Sequence, residues 1–204
     1  MAEEQKPQFY NRFMQCYRSE KPDGGKHLEV FLNDTVVDFW YYLELIQFLH
    51  ESTEKDTCNI TIDNRGGYLV TGIAIAEAIK NSKAHVTTIA VSIAASAAAL
   101  IWTAGHTKVS NPWGFVMYHT ASYMAYGNAK QHEDKVTYIN TLIANIMQEA
   151  LQFNLITEQD VMDIASRARD IFVPGVVMNA RTRVQGENRY EALQGAEEVQ
   201  NGNV

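Results

Sequence analysis

The chain predicts an α/β fold with a largely parallel sheet, and three observations carry that prediction. Short β-branched or apolar runs alternate with stretches whose apolar residues recur at helical spacing. The 204 residues, 46% of them hydrophobic and 20% charged, suit one domain with a sizeable core. A Gly-Gly pair and an isolated serine both fall at the carboxyl ends of strand candidates, where open parallel sheets place their sites.

Pro22, Asp23, Gly24 and Gly25 form a turn signal. Leu28 to Leu32 then alternates as a short strand. From Asp34 to His50, Val36, Val37, Phe39, Trp40, Leu43, Ile46 and Leu49 repeat at helical spacing, with Asn33 or Asp34 able to cap the helix. A second strand is expected over Asn59 to Ile62. It ends at Asp63, and a Gly66-Gly67 turn leads into a helix from Val70 to Ile79. Val86 to Val91 is the third strand, followed by a small-residue helix from Ser96 to Ala104. Phe115 to His119 is a further short strand.

A long amphipathic helix is expected from about Asn128 to Phe153, with Ile139, Leu142, Ile143, Ile146, Met147 and Ala150 on one stripe. Thr157 to Asp160 fits a capping box for a helix ending near Arg167, and Ile171 to Val173 reads as strand. The expected division is an N-terminal segment over 1–26, a domain over 27–185 and a disordered polar tail over 186–204.

The net charge of −7 argues against a nucleic-acid surface. Val86 to Gly105 runs 20 residues without a charge, but five are Ser or Thr, and a strand pattern gives way to a helix pattern within it. It is not a membrane span. Residues 1–7 are polar, with no apolar run of a signal peptide behind them. Cys16 and Cys58 lack metal spacing, which suits a reduced, cytoplasmic protein. The chemistry considered below needs no cofactor and no metal.

Ile93 to Leu100 reads Ile-Ala-Ala-Ser-Ala-Ala-Ala-Leu. Ser96 would sit where a buried strand turns into a helix. There, unpaired N–H groups and the helix dipole favour an oxyanion, as a serine nucleophile requires. On this stretch alone the commoner reading is a tightly packed core helix with Ser96 as filler. Among the six histidines, His119 ends an apolar strand and reaches the same sheet edge as Ser96. His27, His50, His85, His106 and His132 fall on strand ends, helix ends or an outer helix face. Asp170 precedes the strand-like Ile171 to Val173 and is the candidate acid, although alone it reads as a loop ion-pair residue. No Gly-x-Ser-x-Gly elbow is present, which disfavours an α/β-hydrolase.

Four segments in order resemble the ClpP family, the proteolytic subunits of the Clp protease. Asn64-Arg65-Gly66-Gly67 stands for the family's Ser-Pro-Gly-Gly turn. Ala94-Ala95-Ser96-Ala97, whose serine lies 29 residues after Gly67, stands for its nucleophile motif. Val116-Met117-Tyr118-His119 and Arg169-Asp170-Ile171-Phe172 complete the set. The resemblance runs from about Leu28 to Val173. It implies a ClpP/crotonase-like fold of repeated β-β-α and βα units, with the long helix as a protruding handle joining two rings.

It further implies a serine endopeptidase that hydrolyses peptides or unfolded protein inside a homo-oligomeric chamber of stacked rings. Ser96 would be the nucleophile, His119 the base and Asp170 the orienting acid. Gly67 and Ala97 would supply oxyanion N–H groups, and Arg169 would link ring contacts to triad alignment. The family's partner is an AAA+ unfoldase, but the first 25 residues do not match the family's axial loops. Asp63, Asn64 and Arg65 replace Asn, Ser and Pro, which frees the turn and puts a cation close to the oxyanion region. Three alternatives stand: a catalytically silent ring or scaffold subunit, a Ser-Lys peptidase of signal-peptide-peptidase type using Lys108 or Lys130, and a crotonase-like acyl-CoA enzyme. The departures suggest a divergent, phage-type member.

Overall fold

Strand alternation in this chain buries one face of a sheet against helices. In the computed structural model, which describes residues 11–120 and 128–183, Leu28, Val30 and Leu32 of one strand are buried. So are Cys58, Ile60 and Ile62 of the next, and Val86, Thr88 and Ala90 of the third. The residues between them point to the opposite face, as the two-residue period of a strand requires. There His27 bonds Thr57 at 2.8 Å and Glu29 at 3.1 Å.

The strands are β1 (Met14–Glu20), β2 (Lys26–Val36), β3 (Thr57–Gly67), β4 (His85–Ala95), β5 (Thr107–Ser110), β6 (Phe115–Tyr118) and β7 (Ile171–Pro174). The helices are α1 (Leu43–Glu51, after a 3-10 turn at Phe39–Tyr42), α2 (Leu69–Asn81), α3 (Ala97–Ala104), α4 (Ala129–Gln152) and α5 (Glu158–Arg167). Residues 175–183 are again helical. The sheet order is β1-β2-β3-β4-β6-β7, with β5 also on β4. β2, β3, β4, β5 and β6 pair in parallel, and β1 and β7 close the sheet as antiparallel edges.

Five boundaries depart from the sequence reading. β3 does not end at Asp63 but runs through Gly67, because Asn64 pairs with Asp34 and Ala94, and Gly67 with Val36. β1 is a strand, paired with β2 around the turn in which Gly24 takes φ +80°. The helix expected from Asp34 begins only at Leu43. Pairing to β3 carries β2 through Val36, and Asp34 takes φ +62° instead of capping. β5 pairs with β4, although its four residues are too few to show a period. β4 runs to Ala95, because Ile93, Ala94 and Ala95 pair with Phe115, Val116 and Met117 of β6. The tail over 186–204 and the first ten residues of the N-terminal segment lie outside the described residues.

The expected capping box of Thr157 with Asp160 opens α5, and a second, of Asn128 with Gln131, opens α4. α4 meets the body through its second half, where Met147 and Ala150 are buried. Much of its first half is exposed. No helix among the described residues is long and apolar enough to cross a membrane.

Asp56 ties the start of β2 to the turn after α1. Its carboxylate accepts from the Thr53 N–H at 2.7 Å, the Thr53 hydroxyl at 2.9 Å and the Lys26 N–H at 2.6 Å. Burial works to raise its pKa, but these three donors outweigh it and hold the carboxyl below its ordinary value. The stabilisation is therefore present above the unfolded-state pKa and is lost as pH falls through the folded one. Asp56→Ala is expected to cost about 2–4 kcal/mol near neutral pH, since three charge-assisted bonds are lost. In urea melts the gap between the variant and the wild type should close as the buffer is acidified. A gap that stays constant down to strongly acid pH refutes the assignment.

Candidate active site

The backbone at Ser96 adopts φ +55° and ψ −123°, a conformation costly for a residue with a Cβ. Neighbouring elements impose it. The Ser96 N–H donates to Met117 O of β6 at 2.9 Å, and its carbonyl accepts from Ala99 N at 3.0 Å in the first turn of α3. The change from extended strand to helix is thus completed within one residue. Ser96 occupies the N-cap position, yet its hydroxyl makes no capping bond among the described residues.

Two glycines on other elements make room for this turn. A Cβ on Gly66, at φ +88°, would lie 2.5 Å from Ser96 Cβ and 2.6 Å from Ala95 O. A Cβ on Gly72 of α2 would lie 2.9 Å from Ala97 Cβ. The Gly-x-Ser-x-Gly pattern supplies small neighbours within the turn itself. Here alanines flank the serine, and the glycines that seat it come from β3 and α2. Sequence reasoning missed the role of Gly66 and Gly72. Their common signal is the cluster Gly66, Gly67, Gly72, whose spacing carries no meaning until α2 packs on α3.

Sheet register brings the other candidates to Ser96. Ala95 pairs with Met117, so His119 emerges two residues beyond, level with the serine turn. Tyr118 pairs with Ile171 of antiparallel β7, which sets Asp170 against His119. His119 Nδ1 stands 3.9 Å from Asp170 Oδ1. His119 Nε2 is buried and has no hydrogen-bond partner among the described residues. Ala97 is the first residue of α3, where an N–H has no partner four residues back. Gly67, at φ +147°, precedes Tyr68, whose N–H donates to Val36 O on β2 at 2.9 Å.

Arg169 does not reach Asp170. Its guanidinium donates to the buried carboxylate of Asp163 at 3.2 Å, alongside Arg167 at 3.1 Å and Gln159 at 2.8 Å. With Ala168 in the left-handed region, these bonds hold the corner from which Asp170 projects. Arg65 is exposed, whereas Asn64 and Gly66 on either side of it are buried. It does not line the cleft at Ser96, so the expectation of a cation beside the oxyanion region is not met. Alternation of the strand turns its side chain to the other face. Lys108 donates to Gly105 O at 2.7 Å, at the opposite end of α3 from Ser96, and Lys130 pairs with Glu133 and Asp134 on α4.

Ser96 and His119 open onto a cleft of about 600 Å³. Residues 67–71, Leu100 and Tyr118 form one side. Tyr138, Ile139, Leu142, Ile143, Ile146 and Met147 of α4 form the other. The Tyr118 hydroxyl bonds Thr103 at 2.8 Å, and burial pushes the phenol pKa up, so the ring contributes a neutral wall. No group of three or more His, Cys, Asp or Glu among the described residues is arranged to hold a metal ion.

The model of the family described as Clp protease matches residues 26–179. The chain belongs to the Clp protease family. It is therefore a ClpP-like serine peptidase in kind, with the mixed α/β architecture and mostly parallel seven-stranded sheet that go with it. The ClpP family generally forms oligomeric rings and acts on peptides. No curated protein matches the chain.

The tight approach of Gly66 to Ser96 gives a paired test. Gly24 and Gly66 both have positive φ, but a Cβ on Gly24 meets nothing within 4 Å. Gly24→Ala should cost about 1 kcal/mol and Gly66→Ala at least about 2 kcal/mol more, because only the latter adds a backbone clash. Chemical denaturation of the two variants reads the difference. Equal losses would show that the contact is not a constraint.

Proposed function

We propose that the chain is a serine endopeptidase in which Ser96, His119 and Asp170 form the catalytic triad. The observation that carries this reading is that Ser96 and His119 line one apolar cleft, with His119 Nε2 buried and without a hydrogen-bond partner among the described residues. A buried ring nitrogen without a partner is costly unless a substrate or nucleophile completes it. In this reading Ser96 Oγ attacks the scissile carbonyl carbon while its proton passes to His119 Nε2. The N–H groups of Gly67 and Ala97 bond the oxyanion. His119 then gives the proton to the leaving amine, the acyl-enzyme forms, and water repeats the sequence in reverse roles. Asp170 orients the imidazole and stabilises its protonated form once the 3.9 Å separation closes to hydrogen-bond length.

The apolar cleft between the body and α4 suits extended peptide segments of unfolded protein. We place the reaction inside a chamber of stacked rings, with α4 meeting its counterpart across the ring junction and an AAA+ unfoldase as the class of partner that would feed it. Arg169 acts within its own subunit by holding the Asp170 corner through Asp163. A reducing cytoplasm suits the two thiols. Burial, aided by Glu44, pushes Cys16 up to about 12, and burial also raises Cys58, so both stay protonated and unreactive.

The 3.9 Å gap between His119 and Asp170 favours one second reading, a silent ring subunit whose triad never closes. A Ser-Lys mechanism has no comparable support, because Lys108 caps the far end of α3. A fluorophosphonate probe should label the assembled wild type and leave Ser96→Ala unlabelled. Assembled rings that resist labelling and cleave no peptide would establish the silent subunit instead. His119→Ala should lower kcat/KM by roughly 10⁴-fold or more, the scale of losing a triad base. Peptide turnover that survives in His119→Ala would exclude the triad.

A further inference from the structure

Resting on the peptidase reading above, one further role follows from how β2 grips the turn at the end of β3. The candidate oxyanion donor Gly67 N–H belongs to the peptide unit joining Gly66 to Gly67. In a planar trans peptide the C=O and N–H point in opposite directions, so the group that holds the Gly66 carbonyl also sets the aim of the Gly67 N–H. Thr35 Oγ1 donates to Gly66 O at 2.5 Å.

The register explains why Thr35 is in place. Asp34 pairs with Asn64 and Val36 with Gly67, so Thr35 alone faces the two residues Arg65 and Gly66. Such a bulge re-aims the strand that carries the extra residue. Asp34, in the left-handed region at φ +62°, sets the backbone direction into Thr35.

The peptide needs holding because both of its residues are glycine, at φ +88° and +147°, where rotation meets little steric resistance. Arg65 supplies none of the φ restraint that a proline would. The preceding unit is held separately. The fully buried Asn64 accepts the Gly66 N–H at 2.8 Å and donates to Asn33 O at 2.9 Å. That bond fixes the entry to the turn, while at the Gly66 carbonyl the Thr35 hydroxyl adds to the ladder pairing of Val36 with Gly67.

We propose that Thr35 is a positioning residue for catalysis, its hydroxyl fixing the Gly66–Gly67 peptide so that the Gly67 N–H faces the oxyanion formed at Ser96. Without it the peptide rotates, and a carbonyl dipole can face the site where a donor is needed.

Thr35→Val keeps the shape and removes the hydroxyl. It should lower kcat on a fluorogenic peptide by about 10–100-fold, approaching the loss of an oxyanion donor, with KM within about twofold. Thr35→Ser should restore kcat to within about threefold of wild type, which a packing role would not do. Thr35→Ala serves where the valine variant fails to fold. A crystal structure of Thr35→Val should show the Gly66–Gly67 peptide turned from its wild-type plane. Unchanged kcat, a loss confined to KM, or an unturned peptide overturns the proposal. A wild type that neither labels with fluorophosphonate nor cleaves peptides would defeat the peptidase reading alone. The peptide orientation in the variant crystal would then decide the role of Thr35.

Discussion

The close approach of Gly66 to Ser96 is the constraint on which the rest of the site depends. Strand β4 ends and helix α3 begins within one residue, and that residue carries a side chain at positive φ. Such a turn survives only when its surroundings over-determine it. Met117 holds its N–H, the first turn of α3 holds its carbonyl, and Gly66 removes the Cβ that would occupy the same space. The strain leaves the hydroxyl at a helix N-terminus, clear of the capping role that serine ordinarily takes there.

The other candidates arrive by strand register. Parallel pairing of β4 with β6 and antiparallel pairing of β6 with β7 bring positions 96, 119 and 170 to one edge. Slipping one pair by a residue would turn His119 or Asp170 to the other face. The corner before β7 is reinforced by the buried Asp163, which gathers Arg167, Arg169 and Gln159. Arg169 thereby holds the backbone corner that precedes Asp170. Two irregularities in β3 pairing, one beside β2 and one beside β4, lie within a few residues of Ser96 and Gly67. Bulges of this kind re-aim a strand end, and both act on the elements that meet at the Ser96 turn.

The cleft has a different origin. Its body side comes from the β3–α2 connection and its far wall from one stripe of α4. That stripe was legible as helical periodicity, but periodicity cannot say which surface a stripe will face. It closes a cleft over Ser96 and His119, and only Met147 and Ala150 near its end are fully buried.

The parallel α/β sheet, helices α2 to α5, the capping box at Thr157 and the carboxyl-end placement of Ser96 and Gly67 were all readable in the chain, because period and cap chemistry act over a few neighbouring residues. Strands β1 and β5, the late start of α1 and the extension of β4 to Ala95 were not. Partner strands stabilise those segments, and their own propensities are too weak to announce them. The order of motifs was enough to name Ser96, His119 and Asp170 as candidates and to suggest the family to which the chain belongs. Only the folded chain turned Arg65 outward, sent Arg169 to Asp163, and set Gly66 and Gly72 against the serine turn. Those outcomes depend on which residues of separate strands and helices are forced into the same few ångströms, and no local pattern encodes that distance.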